Sequence, residues 1–540
     1  MLHNNPILKA LINSLWNTLW SGGIANPLTA IEQISYLLFI KRIDSLNLFQ
    51  SKYKGYYYPK VDESKFPIDE NLPIKQAAAN MKALGVAKKP RPNSELKWSY
   101  FKTLEKEELI YHFHNHVFPF IKTLNGDTSP FTKHMANAVF IIEKPTLLFE
   151  AINKIEEIFI EIEKDASLGG HTFQDIQGDV YEMLLNEIAG AGKNGQFRTP
   201  RHIIKLMAEL VKPQLGHKIA DPACGTGGFL LGAYQYLLTD LVRKKDMKKL
   251  EKDDDGFEMA TYSSFIDKRT KMILDKSFYG FDIDVTMVRL GLMNLMMHGI
   301  DNPKIDYKDS LSKSYDEAGQ YDIVLANPPF TGKIDKGDVN TSLRIDSASS
   351  ELLFLDRISS MLRKDGKAAV IIPEGVLFGS SNAQKQTREI ILKDNQLEAV
   401  ISLPSGAFKP YTGVKTAILV FTKVEEKSKT WHTKKVWFYE LQSDGYSLDD
   451  NRRRLKDFPL PETKAAFDNR AKSKTKNRKS HFFVPIAEIQ ENDLDLSFNR
   501  YKEYEYIEQT YEPPKEILAK LIKLEKEILM DLEELNSLIG

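Results

Sequence analysis

The stretch "HKIADPACGTGGFLLGAYQYLL", His217 to Leu238, has the order of an apolar strand, a glycine-rich turn and a helix. Asp221 ends the predicted strand, and Gly225 and Gly227 permit a sharp turn in which the backbone comes close to a ligand. The spacing Asp-x-x-x-Gly-x-Gly matches neither the triphosphate loop, which needs Gly-Lys-Ser/Thr, nor the pyrophosphate loop Gly-x-Gly-x-x-Gly. A carboxylate just before the glycines suits a ligand with an ammonium group and no phosphate, such as S-adenosylmethionine.

Outward from this stretch, the pattern of the sequence changes near residue 170. Residues before it show helical spacing of apolar side chains, whereas short apolar runs alternate with helix-like stretches after it. That alternation predicts a largely parallel sheet covered on both faces. Near the end, the proline pair in "YEPPKEILAKLIKLEKEILMDLEELNSLIG" opens a helix with one apolar face. We therefore predict a multidomain chain: a helical N-terminal domain (1–165), a Rossmann-like α/β catalytic domain (166–480) and a tail with an amphipathic C-terminal helix (481–540).

The composition excludes several classes of protein. The 540 residues include 74 Lys and Arg and 74 Asp and Glu, so no basic excess points to a free-standing DNA-binding protein. The basic run "NRAKSKTKNRKS" (469–480) is either a solvated linker or a segment that faces phosphates. The one cysteine, Cys224, permits neither an internal disulfide nor a thiolate metal cluster. No apolar run reaches the roughly 18 residues of a membrane span and no signal peptide is evident, so we expect a cytoplasmic protein without a membrane segment.

Acidic residues follow two later strands of the predicted sheet. "YGFDIDVTMVRLGLMNLMMHG" places Asp282 and Asp284 after a strand and before a helix. We predict that Asp282 accepts hydrogen bonds from ribose hydroxyls and that Asp284 caps the helix. "KIDYKDSLS" then places Asp309 after a third strand, where its carboxylate is predicted to accept from the adenine amino group of the cofactor.

The stretch "YDIVLANPPF", Tyr321 to Phe330, ends a buried strand in two prolines. Pro328 and Pro329 fix two φ angles and make the following loop stiff. Asn327 brings an amide that donates and accepts, the proline carbonyls accept, and Phe330 offers an aromatic face. The four residues are therefore suited to hold a flat, polar ring. An ordinary proline-rich turn is the alternative for the tetrapeptide taken alone.

Seven blocks between about residues 165 and 425 carry a resemblance to a known family. They are "GQFRTP" (195–200), "DPACGTGGF" (221–229), "GFDID" (280–284), "KDSL" (308–311), "NPPF" (327–330), "IIPEGVLFG" (371–379) and "LPSGAFKPYTGVKTAILVF" (403–421). In this order they resemble the amino-methyltransferases of DNA, and most closely the modification subunits of type I restriction-modification systems. Two positions depart modestly from the family: Asp282 stands where Glu is frequent, and Cys224 stands where a small residue is common.

The resemblance implies a reaction, a site and partners. The expected reaction is transfer of a methyl group from S-adenosylmethionine to the N6 amino group of adenine in double-stranded DNA. The implied partners are a specificity subunit, a restriction or translocase subunit and a second modification subunit, and no metal is expected. The implied catalytic residues are Asn327, Pro328, Pro329 and Phe330. The implied cofactor-binding residues are Gly195, Gln196, Phe197, Arg198, Thr199, Pro200, Asp221, Gly225, Thr226, Gly227, Asp282 and Asp309.

The chemistry of an exocyclic amino group explains why such a tetrapeptide is needed. The lone pair of this nitrogen is delocalised into the ring, which makes it a poor nucleophile. If Asn327 Oδ1 and the Pro328 carbonyl accept its two N–H bonds, the nitrogen is oriented toward the methyl donor and its growing positive charge is stabilised. Phe330 would stack on the base, and the base must leave the duplex to reach the pocket.

Several alternatives stay open at this stage. The amino group of cytosine (N4) fits the same geometry, and so do a protein glutamine or an RNA base, although those last enzymes are usually shorter. A non-catalytic scaffold that binds cofactor is a further alternative. Methylation of a cytosine ring carbon is excluded because it needs a cysteine nucleophile, and Cys224 lies in the cofactor loop. Too few residues lie between Phe421 and the last helix for two recognition domains, so we expect another chain to choose the target. The last helix either packs on its own protein or binds that partner.

Overall fold

The computed structural model describes residues 5–49, 93–122, 128–169, 181, 199–245, 247, 250–260, 266–472, 478–503 and 513–539. Within these ranges the chain forms a helical N-terminal region, a large mixed sheet flanked by helices, and a separate C-terminal helix. The predicted fold class is confirmed by this arrangement.

The N-terminal region is helical because its apolar residues recur at helical spacing and its helices begin at defined caps. Asn5 caps the first helix: its Oδ1 accepts from the backbone N–H groups of Ile7 and Leu8, and Pro6 occupies the first helical position. The apolar residues of this helix then face the core. The helices are α1 (Pro6–Ser21), α2 (Pro27–Phe49), α3 (Trp98–Phe101), α4 (Lys106–His112), α5 (Phe118–Lys122), α6 (Pro130–Met135) and α7 (Pro145–Gly169).

Nine strands form the main sheet, in the order β11-β10-β8-β9-β7-β6-β1-β4-β5, and β2 and β3 form a separate antiparallel hairpin. The strands β7, β6, β1, β4 and β5 are parallel neighbours, whereas β9 runs antiparallel to β7 and β8. The strands are β1 (Ile219–Asp221), β2 (Leu250–Lys252), β3 (Glu258–Ala260), β4 (Phe278–Asp282), β5 (Lys304–Tyr307), β6 (Tyr321–Ala326), β7 (Leu362–Pro373), β8 (Asn395–Ser402), β9 (Thr416–Lys423), β10 (Lys435–Glu440) and β11 (His481–Pro485).

Helices cover both faces of this sheet, which explains why its central strands contain runs of consecutive apolar residues, such as Ile323–Ala326 in β6. All six residues of β6 are buried, as expected for a strand packed on two sides. The helices of this part are α8 (Arg201–Val211), α9 (Gly228–Lys245), α10 (Lys268–Leu274), α11 (Val285–Met297), α12 (Ser350–Met361), α13 (Gly375–Phe378), α14 (Asn382–Asp394), α15 (Pro459–Asp468), α16 (Ile486–Glu491) and α17 (Phe498–Tyr501).

The sheet continues beyond the predicted limit at residue 480. The edge strand β11 begins at His481 and pairs antiparallel with β10, from Lys435↔Pro485 to Tyr439↔His481. The segment predicted as a tail therefore contributes a strand to the main sheet before the last helix begins.

The helical region packs against the sheet domain through polar contacts, one of which is a buried ion pair. Arg289 on α11 donates to Glu32 on α2 at 2.6 Å, and Tyr36 donates to the same carboxylate at 2.7 Å. His134 on α6 contacts Asp306 on β5, with 2.6 Å between Nε2 and Oδ1. Each contact involves an element that lies next to one of the acids at the strand ends. The helix α11 begins just after Asp284, and the strand β5 ends just before Asp309.

The C-terminal helix α18 (Pro514–Ile539) differs from every helix above, because its described side chains are exposed through Leu538. A row of large apolar residues three and four positions apart lies on it, each between 52% and 58% exposed: Leu521, Leu524, Ile528, Leu532 and Leu535. Of the two options for this helix, packing on its own chain is absent among the described residues. A search of those residues for helices long and apolar enough to cross a membrane finds none.

Candidate active site

The carboxyl ends of β1, β4 and β6 meet at one edge of the sheet. β1 lies between the other two, with Ile219 paired to Phe278 on one side and to Ile323 on the other. The chain runs from β1 outward through β4 to β5 and returns on the opposite side at β6, so the direction of winding reverses at β1. Ligands of open α/β sheets bind in the crevice at such a reversal. The glycine loop follows β1 and the Asn327 loop follows β6, so both loops begin at this edge of the sheet.

The glycine loop after β1 has the conformation that its glycines allow. Gly225 and Gly227 have φ angles of 51° and 76°, in the left-handed region that side chains disfavour. A methyl group built on Gly225 meets no atom within 4 Å, so this glycine faces open space. Buried Asn294 on α11 fixes the loop by donating from Nδ2 to the Thr226 carbonyl at 2.9 Å. The sequence analysis missed Asn294, although a lone asparagine within the apolar stretch "MVRLGLMNLMM" is a signal for such an anchor.

Asp221 is almost completely buried at the start of this loop, with 1% of its surface exposed. Its Oδ1 accepts from the Ala223 N–H at 3.0 Å, whereas its buried Oδ2 has no hydrogen-bond partner among the described residues. Burial raises the pKa of this carboxyl to about 8, with a smaller contribution from the nearby Asp282 carboxylate, and the hydrogen bond from Ala223 opposes the shift. A buried acidic oxygen without a donor suits a cationic ligand group, which would offset the cost of its charge.

Asp282, at the end of β4, is held by backbone donors on both oxygens. Oδ2 accepts from the Gly225 N–H and Oδ1 accepts from the Asp284 N–H, each at 2.9 Å. Burial raises the pKa of this carboxyl, and the two backbone hydrogen bonds oppose that shift. The carboxylate therefore ties β4 to the glycine loop of β1. Asp284 caps α11, where its Oδ1 accepts from the Thr286 N–H at 2.8 Å, and this part of the prediction is confirmed.

Asp309 lies in a short segment locked onto the same loop. Its Oδ1 accepts from the Leu311 N–H at 2.9 Å. The neighbouring Ser310 hydroxyl donates to the Pro222 carbonyl at 2.7 Å, and the buried Arg357 Nε donates to the Ser310 carbonyl at 2.7 Å. These bonds bring the segment after β5 next to the segment after β1, as the order of acids along the strands predicts.

Asn327 follows β6, and among the described residues only the Nδ2 end of its carboxamide has a hydrogen-bond partner. Its Nδ2 donates to the Thr199 hydroxyl at 2.9 Å. Its Oδ1 is buried and has no hydrogen-bond partner among the described residues. Pro328 is buried, Pro329 is exposed, and Phe330 packs edge-to-face on Phe408 with ring centroids 6.0 Å apart. The tetrapeptide is thus a rigid turn that carries a buried acceptor without a donor.

The structure describes two residues of the block "GQFRTP". Gly195, Gln196, Phe197 and Arg198 lie outside the described residues. Thr199 and Pro200 are described: Thr199 contacts Asn327, and the Pro200 carbonyl accepts from the Ile203 N–H at 3.0 Å where α8 begins. Thr199 is predicted as a cofactor residue, and its contact with the Asn327 carboxamide is not predicted from the sequence.

Two further expectations concern charged or reactive side chains. Cys224 is buried, and burial raises the pKa of its thiol well above the usual value, which agrees with the exclusion of a cysteine nucleophile. In the basic run, Arg470 pairs with Glu398 at 2.6 Å and Arg478 donates to Glu488 Oε2 at 2.8 Å. These two arginines are therefore bound to carboxylates within the chain.

Comparison with known proteins identifies two matching family models. The model described as N-6 DNA Methylase matches residues 172–510, and the model described as HsdM N-terminal domain matches residues 8–155. The methylase subunit of the type I restriction enzyme EcoEI of Escherichia coli is 29% identical over 452 residues, which is 80% of this chain and 77% of that protein. The EcoKI methylase subunit of Escherichia coli strain K12 is 30% identical over 281 residues, 50% of this chain and 49% of that protein.

Two solved structures have a fold similar to that of this chain. A chain from a study of complex assembly and conformational transition of the type I restriction-modification system is 25% identical, with a TM-score of 0.61 and 98% of each chain covered. The methyltransferase subunit of a type I system from Streptococcus thermophilus is 20% identical, with a TM-score of 0.62, and the match covers 92% of this chain and 100% of that one.

Proposed function

The chain belongs to the N-6 DNA methylase family, among the modification subunits of type I restriction-modification systems, and on that premise we propose a specific reaction. The protein transfers a methyl group from S-adenosylmethionine to the N6 amino group of adenine in DNA. A separate specificity subunit chooses the sequence, and the target adenine is flipped out of the duplex into the crevice.

The residues of the crevice fit S-adenosylmethionine. The unpaired, buried Asp221 Oδ2 suits its ammonium group, and the open space at Gly225 allows its backbone to approach the ligand. Asp282 and Asp309 would accept from the ribose hydroxyls and the adenine amino group, respectively, since each carboxylate oxygen has lone pairs beyond its present bonds. When bound, the cofactor supplies an electrophilic methyl group on a sulfonium sulfur.

The loop after β6 would orient the amino group of the target base. Asn327 Oδ1 and the Pro328 carbonyl accept its two N–H bonds, which directs the nitrogen lone pair toward the cofactor side of the crevice. The same two acceptors stabilise the positive charge that grows on nitrogen during transfer, and the proline pair prevents them from moving away. Phe330 offers its ring to the base, and no metal or covalent intermediate is needed.

One observation carries the proposal: the buried Asn327 Oδ1, just after the carboxyl end of β6, has no donor among the described residues. Buried acceptors of native proteins are nearly always paired, so a substrate donor is expected there. The decisive experiment is to co-express the chain with the proteins encoded next to it, purify the complex, incubate it with unmethylated DNA and tritiated S-adenosylmethionine, and map the product. Label at N6 of adenine supports the proposal, label at N4 of cytosine supports that alternative, and no label supports the scaffold.

The exposed helix α18 is the proposed contact with the specificity subunit. Its row of half-exposed leucines and isoleucine is the face that a helix of another chain would cover. Deletion of residues 513–540 should therefore abolish complex formation in gel filtration and leave the circular dichroism per residue of the remaining fold nearly unchanged. A truncated chain that still forms the complex would contradict this assignment.

A further inference from the structure

Thr199 makes the one described polar contact of the Asn327 carboxamide. The Thr199 hydroxyl accepts from Nδ2 at 2.9 Å, and Thr199 itself is buried, with 7% of its surface exposed. The opposite atom of the same carboxamide, Oδ1, is the buried acceptor without a partner. The hydroxyl thus binds the donor end of the amide, and the acceptor end has no partner among the described residues.

The residues that follow Thr199 in the chain make contacts that hold its segment in place. The proline that follows it favours an extended conformation at Thr199 and starts α8. On that helix, buried His202 contacts buried Asp444 at 2.9 Å and stacks on Tyr446 with ring centroids 4.5 Å apart. The segment that follows Thr199 is therefore anchored by the contacts of His202, and such support is what a residue that orients another side chain requires.

We propose that Thr199 is a positioning residue that keeps the Asn327 carboxamide turned with Oδ1 toward the amino group of the target base. This inference rests on the proposed function. The Thr199 hydroxyl holds the end of the carboxamide that lies beside it, and in the structure that end is Nδ2. Oδ1, at the other end, is then the acceptor that remains for the substrate. Without the hydroxyl, Nδ2 loses its partner and the amide is free to rotate, so a smaller fraction of molecules holds the reactive geometry.

The test compares Thr199→Val with Thr199→Ser in the purified complex with the specificity subunit. Valine keeps the shape of threonine and removes the hydroxyl, whereas serine keeps the hydroxyl. The loss of one hydrogen bond worth roughly 0.5–1.5 kcal/mol predicts a fall in kcat of about 2- to 12-fold for the valine variant. Serine should restore at least half of the wild-type kcat, and the dissociation constant of S-adenosylmethionine, measured by calorimetry, should stay within about twofold of wild type in both variants.

A matched control separates this role from general loss of a buried hydroxyl. Thr387→Val removes the hydroxyl of a threonine that is 1% exposed and bonds only to the Ala383 carbonyl within its own helix, so kcat should not change. Melting temperatures show whether either valine variant is unfolded.

An unchanged kcat in Thr199→Val, or a loss that appears only in cofactor affinity, would overturn the inference. A wild-type complex that transfers no methyl group would overturn the proposed function and this inference with it, whereas equal rates for wild type and Thr199→Val count against Thr199 alone.

Discussion

The two walls of the crevice differ in how many of their polar atoms are already paired. On the wall proposed for the cofactor, both oxygens of Asp282 accept backbone N–H groups. Asn294 anchors the glycine loop through Nδ2, whereas its Oδ1 has no partner among the described residues. On the wall proposed for the substrate, Asn327 Oδ1 has no hydrogen-bond partner among the described residues, and the same holds for Oδ2 of Asp221, whose Oδ1 is paired. Since buried polar atoms are normally paired, the paired atoms build the crevice and the unpaired ones indicate where ligand donors are expected. The following predictions test this division.

Replacement of Asn327 by alanine should give the largest effect, because it removes the unpaired acceptor that would stabilise charge in the transition state. Loss of one such preorganised group lowers kcat by about 100- to 1,000-fold in other enzymes, and we expect a loss of this size in methyl transfer. Cofactor affinity should be nearly unchanged, since Asn327 is assigned no cofactor atom.

The measurement is a single-turnover methylation assay on the complex together with calorimetry of cofactor binding. If affinity for S-adenosylmethionine falls as steeply as the rate, the division of the crevice into two walls is wrong.

Asp282→Ala should show the reverse pattern, with weakened cofactor binding as the primary effect. The variant loses a charged acceptor for the ribose and also the tie to the Gly225 N–H, and a hydrogen bond to a charged group is worth about 1.5–3 kcal/mol. We expect the dissociation constant of S-adenosylmethionine to rise by about 10- to 150-fold in calorimetry. Asp284→Asn is the control, because asparagine still caps α11 and should leave affinity near wild type. A larger loss in the control would transfer the ribose role to Asp284.

Phe330→Ala should weaken the grip on the flipped base by about 1–3 kcal/mol, the usual value of a base–aromatic stack, with little effect on the cofactor. Part of any loss comes from packing, because Phe330 also contacts Phe408. Phe330→Tyr keeps the ring and should retain most activity. Binding of DNA that carries 2-aminopurine at the target position reports the flipped base by fluorescence, and a wild-type signal in the alanine variant would remove the stacking role.

Much of the fold follows from the sequence because its signals are local. Continuous apolar runs such as the one at Tyr321–Ala326 are strands buried on both faces, and the glycine loop shows its turn through Gly225 and Gly227. The edge strand at His481–Pro485 was not foreseen, since it follows the basic run and its pairing with Lys435–Glu440 is a contact over more than 40 residues. Sequence patterns within one window carry no information about such a partner.

Prediction of the site from the sequence is limited in the same way, because some of its contacts join residues that are far apart in the chain. The positions of the acids and of Asn327 at strand ends follow from the sequence because each stands at a fixed offset from a strand, and strand ends of a parallel sheet meet. The Thr199–Asn327 hydrogen bond joins residues 128 positions apart, and it depends on how α8 packs, which no local spacing encodes. The sequence also does not indicate that both oxygens of Asp282 accept backbone hydrogen bonds, whereas Asp221 Oδ2 has no partner among the described residues.

The smallest expected effect concerns Asp221, which stands between the two walls. Burial raises the pKa of its carboxyl to about 8 in the folded chain, above the usual value of 3.8. The folded protein therefore binds a proton at this site that the unfolded chain has lost, so the associated stability is fully present below pH 3.8 and is lost as the pH rises through about 8. Between pH 6 and 7.5 the loss is at most about 1.4 kcal/mol per pH unit.

Saturation with S-adenosylmethionine should reduce this loss, because an ammonium group beside the carboxylate favours its charged form. We expect the melting temperature of the free protein to fall from pH 6 to 7.5 by more than that of the cofactor-bound protein. Asp221→Asn cannot titrate, so the difference between wild type and this variant isolates the contribution of Asp221 from all other titrating groups. If the two proteins show the same pH dependence without cofactor, Asp221 is already charged in the free crevice, and its unpaired oxygen is not the site that awaits a cation.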